Sequence, residues 1–249
     1  MPAQKDYAAH LRTLHASEWD EYLRLNSGLP GPRANLPLAD AVAEVGDESI
    51  FRHLISYDST SAPTNTTGEF LAFCGIVGFG KLLIEHHPTA LDTLHFAAND
   101  PRWRVREGVA IALQHFGDHD MAALIDHITP WSAGTLYQQR AVAAALCEPR
   151  LLKKPDQVIR VLAILDAITA NISTIANRKA DDFIALRKGL AYCWSVAVAA
   201  LPEQGKPLME KWLASTDKDI RWFMRENLKK DRLKRMDAEW VDKWSEQNN

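Results

Sequence analysis

The chain has 249 residues, and 47% of them are hydrophobic, which is enough to bury one large core or two small ones. Charged residues make up 24%, and 12 Gly with 12 Pro are too few for a fibrous or disordered chain. The 29 basic and 32 acidic side chains give a net charge of −3, so the whole molecule has no strong attraction for polyanions.

The chain start and its apolar runs predict a cytoplasmic protein. Charged residues interrupt the first 14 residues, which therefore lack the apolar core of a signal peptide. The longest uncharged apolar runs, residues 70–80 and 190–201, fall short of the roughly 20 residues that cross a bilayer. Three cysteines, odd in number and far apart, suit a reducing compartment. We therefore expect no membrane contact.

Helical spacing of apolar residues runs along most of the chain. After a rigid Pro and Gly break at residues 29–33, residues 37–45 and 47–57 predict a short helix pair, within an atypical N-terminal capping region at residues 1–62. Three longer stripes of apolar residues at helical spacing each predict a helix. The stripes are Val105, Val109, Ala112 and Phe116; Val158, Leu162, Leu165 and Ile172; and Leu186, Leu190, Cys193 and Ala197. We expect the first of these helices to end at Gly117. Alternating strand patterns bounded by hairpin turns do not occur, which predicts an all-α fold.

Two segments share a pattern that suggests repeats. Residues 100–106 and 217–221 each have an acidic turn, a β-branched residue and then Arg, with Leu seven residues after that Arg, and residues 137–146 form a looser copy. This pattern resembles the second helix of HEAT repeats. The resemblance implies an α-α superhelix, a HEAT-like or armadillo-like solenoid of about five or six antiparallel helix pairs, forming one domain over residues 1–249. It also implies a scaffold that presents a concave surface to a protein or other macromolecular partner.

Positive charge collects near the C-terminus. Residues 1–98 carry a charge of −6, whereas residues 204–249 carry +2. A basic stripe is predicted on one side of a single helix, with Trp222 at its margin; its members are Arg221, Arg225, Lys229 and Arg232. Two interpretations stay open. The stripe is either a solvated face with local ion pairs to Glu226, Asp219 and Asp231, or an anion site for nucleic acid or an acidic peptide, extended by Arg102, Arg140 and Arg187.

The sequence offers no recognisable catalytic or metal motif. His115 and His119 are four residues apart, but the expected break at Gly117 separates them, and no His-Glu step occurs. The glycine-rich residues 75–80 lack the Lys and Ser or Thr of a phosphate loop, so we expect close helix packing there. We therefore predict no metal, no cofactor and no catalytic residue, and leave enzymatic activity open.

A second resemblance supplies the alternative function. Residues 183–194, followed by Pro202, Leu208 and Trp212, are similar to a repeat of the DNA alkylation repeat proteins, which are HEAT-like solenoids. The resemblance implies a DNA-binding protein, and some members of that family are DNA glycosylases. Those enzymes use a Trp and an Asp one helical turn apart, and Trp103 with Glu107 has this spacing here, with Glu in place of Asp.

Overall fold

The computed structural model describes residues 3–247, and these residues fold as an all-α structure without a strand. Three short 3-10 helices, Ala16–Glu18, Thr129–Ala133 and Ile172–Thr174, accompany the α-helices. The α-helices of the described residues are α1 (Gln4–Leu11), α2 (Trp19–Asn26), α3 (Leu36–Val45), α4 (Glu48–Ile55), α5 (Thr67–Ile84), α6 (Ala90–Ala97), α7 (Trp103–His119), α8 (Met121–Ile128), α9 (Leu136–Leu146), α10 (Pro155–Asn171), α11 (Asp181–Ala200), α12 (Pro202–Leu213), α13 (Lys218–Leu228), α14 (Asp231–Met236) and α15 (Ala238–Gln247).

Internal contacts divide the chain into two compact units. The N-terminal unit comprises Met1–His119 and the C-terminal unit comprises Asp120–Asn249. The division also separates charge, because residues 1–119 contain 9 basic and 15 acidic side chains, a net charge of −6, whereas residues 120–249 contain 20 and 17, a net charge of +3. A single continuous domain with a capping region at residues 1–62 stays a prediction.

The N-terminal unit is built around α5, which packs between α3 and α7 while α2, α4 and α6 cover it. Its glycines allow this close packing. A Cβ atom at Gly80 would lie 2.6 Å from the carbonyl oxygen of Ala112 on α7, and one at Gly78 would meet the ring of Phe51 at 2.3 Å. The prediction that residues 75–80 serve close helix packing is therefore confirmed.

The C-terminal unit packs its helices against neighbours in sequence order. One layer contains α9, α11 and α13, and a second contains α8, α10 and α12. The two apolar stripes predicted here are buried; they lie on α10 and α11, except that Ile172 belongs to the 3-10 helix after α10. Asp217 caps α13, because its carboxylate accepts the backbone N–H groups of Asp219 and Ile220.

The predicted end of α7 at Gly117 is wrong. The helix continues through Gly117 to His119, and Gly117 is itself buried. A glycine lowers helix propensity by only about 1 kcal/mol, which burial of the apolar stripe of α7 outweighs. His115 and His119 therefore lie one turn apart on a single helix.

Within residues 3–247, three helical segments are long and apolar enough to cross a bilayer, as judged by length and composition, although the uncharged runs had predicted none. They are Thr67–Ile84, Pro155–Thr174 and Asp181–Ala200. In this structure 83% of the Thr67–Ile84 segment is buried inside the protein, and about half of each of the other two is buried.

Candidate functional site

The C-terminal unit contains a cavity of about 600 Å³ whose lining is strongly basic. The loop that precedes α11 forms one wall, and the first turns of α13 form the other. We call this cavity the cationic cleft, and its lining residues are Ala176, Asn177, Arg178, Lys179, Arg187, Lys218, Asp219, Trp222 and Arg225. Five of these nine residues are cationic and one is acidic, so the cleft suits an anionic ligand.

Arg178 is locked in place by two carboxylates. Its guanidinium donates to Asp217 at 2.8 Å and to Asp219 at 2.9 Å, and also to the carbonyl oxygens of Ile172 and Ile175. The hydrogen bonds that Arg178 donates to Asp217 and Asp219 raise its pKa, so it stays charged at every accessible pH. Arg178 therefore fixes the shape of the cleft, and its charge is already matched within the chain.

The same ion pairs hold both carboxylates ionised. The hydrogen bond from Arg178 lowers the pKa of Asp217 below its usual value. Burial alone would raise the pKa of Asp219, but the hydrogen bonds from Arg178 and Arg187 outweigh it, and the pKa of Asp219 is also lowered. The N-terminus of α13 is thus joined electrostatically to the loop before α11.

Arg187 and Trp222 form a stacked pair in the cleft. One nitrogen of Arg187 donates to Asp219 at 2.6 Å, and the guanidinium lies 4.4 Å from the ring centroid of Trp222. The Nε of Arg187 is buried and has no hydrogen-bond partner among the described residues. Stacking of this kind fixes the orientation of both planar groups at little entropic cost.

A second cavity, of about 330 Å³, adjoins the cationic cleft because Arg225 lines both. Lys229 and Lys234 add two cations to it, and Asp242 adds one acid. Lys229 also pairs with Glu226 at 2.5 Å, as the solvated-face interpretation of the basic stripe anticipated. Together the two cavities are lined by seven cationic and two acidic side chains.

The stripe on a single helix is not observed, because α13 ends at Leu228 and the chain turns at Lys229 before α14 begins. Arg232 therefore lies on α14, where it donates to the hydroxyl of Tyr192 at 2.6 Å and stacks on that ring. Arg221 lies on α13 but lines neither cavity. Among the predicted binding residues, the cleft brings together Arg187, Trp222 and Arg225, and the adjoining cavity adds Lys229.

Two predicted binding residues have mainly structural surroundings. Arg102 is buried in the N-terminal unit, where it pairs with Asp100 and donates to the carbonyl oxygens of Tyr57, Asp58 and Ala62. Its guanidinium therefore does not extend a surface stripe. Arg140 is half-buried on α9, and a Cβ atom at Gly189 would lie 3.4 Å from its Cγ, which places it against α11.

Sequence reasoning missed four cations of the two cavities: Arg178, Lys179, Lys218 and Lys234. Arg178 and Lys179 lie in a loop, where no helical period marks which way a side chain points. Asp217 and Asp219 gave no usable signal either, because acids at a helix N-terminus are common and their partner Arg178 lies 39 and 41 residues away in the chain.

Histidines of the described residues do not converge with other ligands. His115 lies 3.5 Å from Asp40, and within residues 3–247 no group of three or more His, Cys, Asp or Glu is placed to hold a metal ion. The Trp103 and Glu107 pair lies on α7 of the N-terminal unit, where the guanidinium of Arg104 is 4.4 Å from the Trp103 ring centroid.

Comparison with known proteins assigns no family. No protein-family model matches the chain, and no curated protein matches it. Among solved structures, the crystal structure of an engineered protein is 14% identical and aligns over 95% of this chain and 98% of its own, with a TM-score of 0.37. A likeness at this level carries no argument about function.

Proposed function

We propose that the chain is a HEAT-like binding or scaffold protein whose C-terminal unit captures an acidic segment of a protein partner. The observation that carries the proposal is the pair of basic cavities that share Arg225. Glu and Asp side chains of an extended segment would alternate between the two cavities, and each would find a cation within reach.

A protein partner fits this surface better than a long polyphosphate does. Arg178, Arg187 and Lys229 already share their charge with Asp217, Asp219 and Glu226. The net charge of residues 120–249 is only +3, and the whole chain is acidic. Duplex DNA binding draws its affinity from many unneutralised cations.

A DNA-binding function of the alkylation repeat type, with or without glycosylase activity, is the second candidate. The observation that favours it is Trp222, a half-buried aromatic ring in a cationic cavity, since such rings stack on nucleobases. The ring face that Arg187 covers is not available for stacking, so a base would have to approach the opposite face.

One binding experiment separates these functions. We would measure the affinity of the full chain for a fluorescent poly-glutamate peptide and for a short DNA duplex across a salt series. The test variant, Arg225→Glu with Lys229→Glu, reverses two charges of the cavities. The matched control, Lys153→Glu with Lys154→Glu, makes the same charge change at exposed positions outside them.

We expect the peptide to bind at about 150 mM salt, the test variant to lose about tenfold or more in affinity, and the control to lose little. DNA affinity in the sub-micromolar range that vanishes in the test variant, with a steep salt dependence, would replace the proposal by the second candidate. Equal losses in both variants, or no binding of either probe, would overturn both functions.

A further inference from the structure

The N-terminal unit contains an apolar groove of about 460 Å³ that the proposed function does not use. Helices α4, α5, α6 and α7 form its walls. Its apolar lining consists of Ile55, Ala72, Ile76, Phe96, Ala97 and Val105. A groove of this volume and character matches those that receive apolar groups of ligands or partners.

Phe96 makes the groove unusual for a surface depression. Helix α6 buries Ala90, Leu94 and Ala97 against the unit, yet the side chain of Phe96, between them, is 85% exposed. It is the most exposed large hydrophobic residue of the described chain. Exposing an aromatic ring beside an apolar groove costs solvation free energy that a bound partner would recover.

The groove lining contains two acids, Asp58 and Asp100, and one cation, Arg102. Asp58 is exposed, and one of its oxygens accepts the backbone N–H groups of Thr60 and Ser61. Hydrogen bonds from Ser61 keep the pKa of Asp58 below its usual value, so it is ionised at neutral pH. Asp58 forms no ion pair with any described residue, and its second oxygen is available to a ligand.

The one cation of the groove lining is already satisfied. Arg102 is buried and donates to both oxygens of Asp100 and to three backbone carbonyl oxygens, so its charge is matched within the unit. The surrounding unit carries a net charge of −6. An acidic partner would be repelled here, whereas a basic one would gain from both the local and the overall charge.

We propose that this groove binds the apolar face of a basic amphipathic helix from a partner protein. An apolar side chain of that helix would fill the groove against Phe96, and a Lys or Arg one turn away would pair with Asp58. A helix suits the site because its residues at i, i+3 and i+4 project together from one face. The inference is independent of the cationic cleft and its partner.

The probe is a short helical peptide of Leu and Lys with one apolar face, labelled with a fluorophore, and its counterpart in which Glu replaces Lys. Affinities for the full chain are measured by fluorescence anisotropy. Phe96→Ala removes the aromatic contact, and Leu25→Ala is its matched control, since Leu25 is 78% exposed on α2 and outside the groove. Asp58→Asn removes the charge while keeping the oxygen that accepts the turn amides, and Glu21→Gln controls for it.

We expect the Leu/Lys peptide to bind and the Leu/Glu peptide not to bind. Phe96→Ala should weaken binding about tenfold, as aromatic anchors at interfaces do, and Asp58→Asn about threefold, while both controls change it by less than about twofold. All four substituted side chains are exposed, so circular dichroism should report unchanged folding. Binding that is insensitive to Phe96→Ala, or equal for the two peptides, or absent altogether, overturns the inference.

Discussion

The two units place arginine in different surroundings although their helices begin with a similar sequence pattern. In the N-terminal unit, Asp100 pairs with Arg102 two residues later, and both lie within the same turn. In the C-terminal unit, Asp217 and Asp219 bind Arg178 and Arg187 from the preceding loop and helix. Both arrangements match the arginine charges, but the first does so inside the unit, whereas the second holds the arginines at the wall of the cationic cleft.

This difference explains why one unit has an apolar groove and the other a cationic cleft. In the N-terminal unit, the guanidinium of Arg102 is hydrogen-bonded to Asp100, two residues earlier in the chain. The neighbouring lining of the groove is mainly apolar. Long-range pairing in the C-terminal unit draws Arg178 and Arg187 together with Lys179 and Lys218. An acidic turn followed by Arg thus has no fixed functional meaning, because the partner of the acid decides where the cation lies.

The largest effect should come from breaking the buried ion pair of the N-terminal unit. Glu69 is 0% exposed and accepts from Arg104 at 3.0 Å, and Arg104 also donates to the carbonyl oxygen of Gly31. Arg104→Met should lower the free energy of unfolding by about 3–5 kcal/mol, because it leaves a buried carboxylate unpaired. Urea denaturation combined with hydrogen exchange of α5 and α7 measures the loss.

A matched double variant tests the cause of that loss. Adding Glu69→Gln to Arg104→Met removes the stranded charge, so part of the stability should return. If the free energy of unfolding of Arg104→Met alone were within about 1 kcal/mol of that of the parent protein, the ion pair would contribute no more than an ordinary surface contact, which would contradict this prediction.

The next largest effect is a change in stability on replacing a glycine by alanine, and we expect opposite signs in the two units. Gly80→Ala places a Cβ atom 2.6 Å from a backbone oxygen of α7, which cannot move aside as a side chain would, so we expect a loss of about 1–3 kcal/mol. Gly189→Ala on α11 meets only Arg140 Cγ at an ordinary 3.4 Å. There we expect a gain of about 0.5–1 kcal/mol from lower chain entropy in the unfolded state. Thermal denaturation of both variants should show shifts of opposite sign.

Arg178→Met should have a moderate effect confined to the C-terminal unit. It removes the hydrogen bonds to Asp217 and Asp219, but Asp217 still accepts two backbone N–H groups of α13 and Asp219 still pairs with Arg187, so the expected loss is about 1–2 kcal/mol. Hydrogen exchange should speed up in the first turn of α13 and leave α5 unchanged. Equal acceleration in the two helices would indicate a global effect instead.

The smallest effect is a pH dependence that follows from the same pairs. The pKa values of Asp217 and Asp219 are lower in the folded protein than the ordinary value of about 3.9. Their contribution to stability is therefore fully present above that value and is lost as the pH falls below about 4 through the folded pKa. Exchange of α13 amides, followed from pH 6 down to pH 3, should accelerate in the parent protein more than in Arg178→Met. If exchange accelerated equally in the parent protein and in Arg178→Met, the pH dependence would not come from these ion pairs.

Sequence reasoning predicted the all-α class and the buried stripes of α7, α10 and α11, because helical period and burial both act over a few turns of one chain segment. It named Arg187, Trp222 and Arg225, which line the cationic cleft, but it joined Lys229 and Arg232 to one helix that ends before them. A turn of two residues between short helices leaves almost no signal in the spacing.

The amino-acid sequence alone determined the helical fold and the charge difference between its two ends, since these depend on composition and local spacing. Only the tertiary structure decided which charges are available. Arg102 lies inside its unit, Arg232 stacks on Tyr192, and Arg178 and Lys179 join the cleft from a loop. The physical reason is that a cation takes the nearest acid or ring in space, and that partner is often 30 to 40 residues away in the chain.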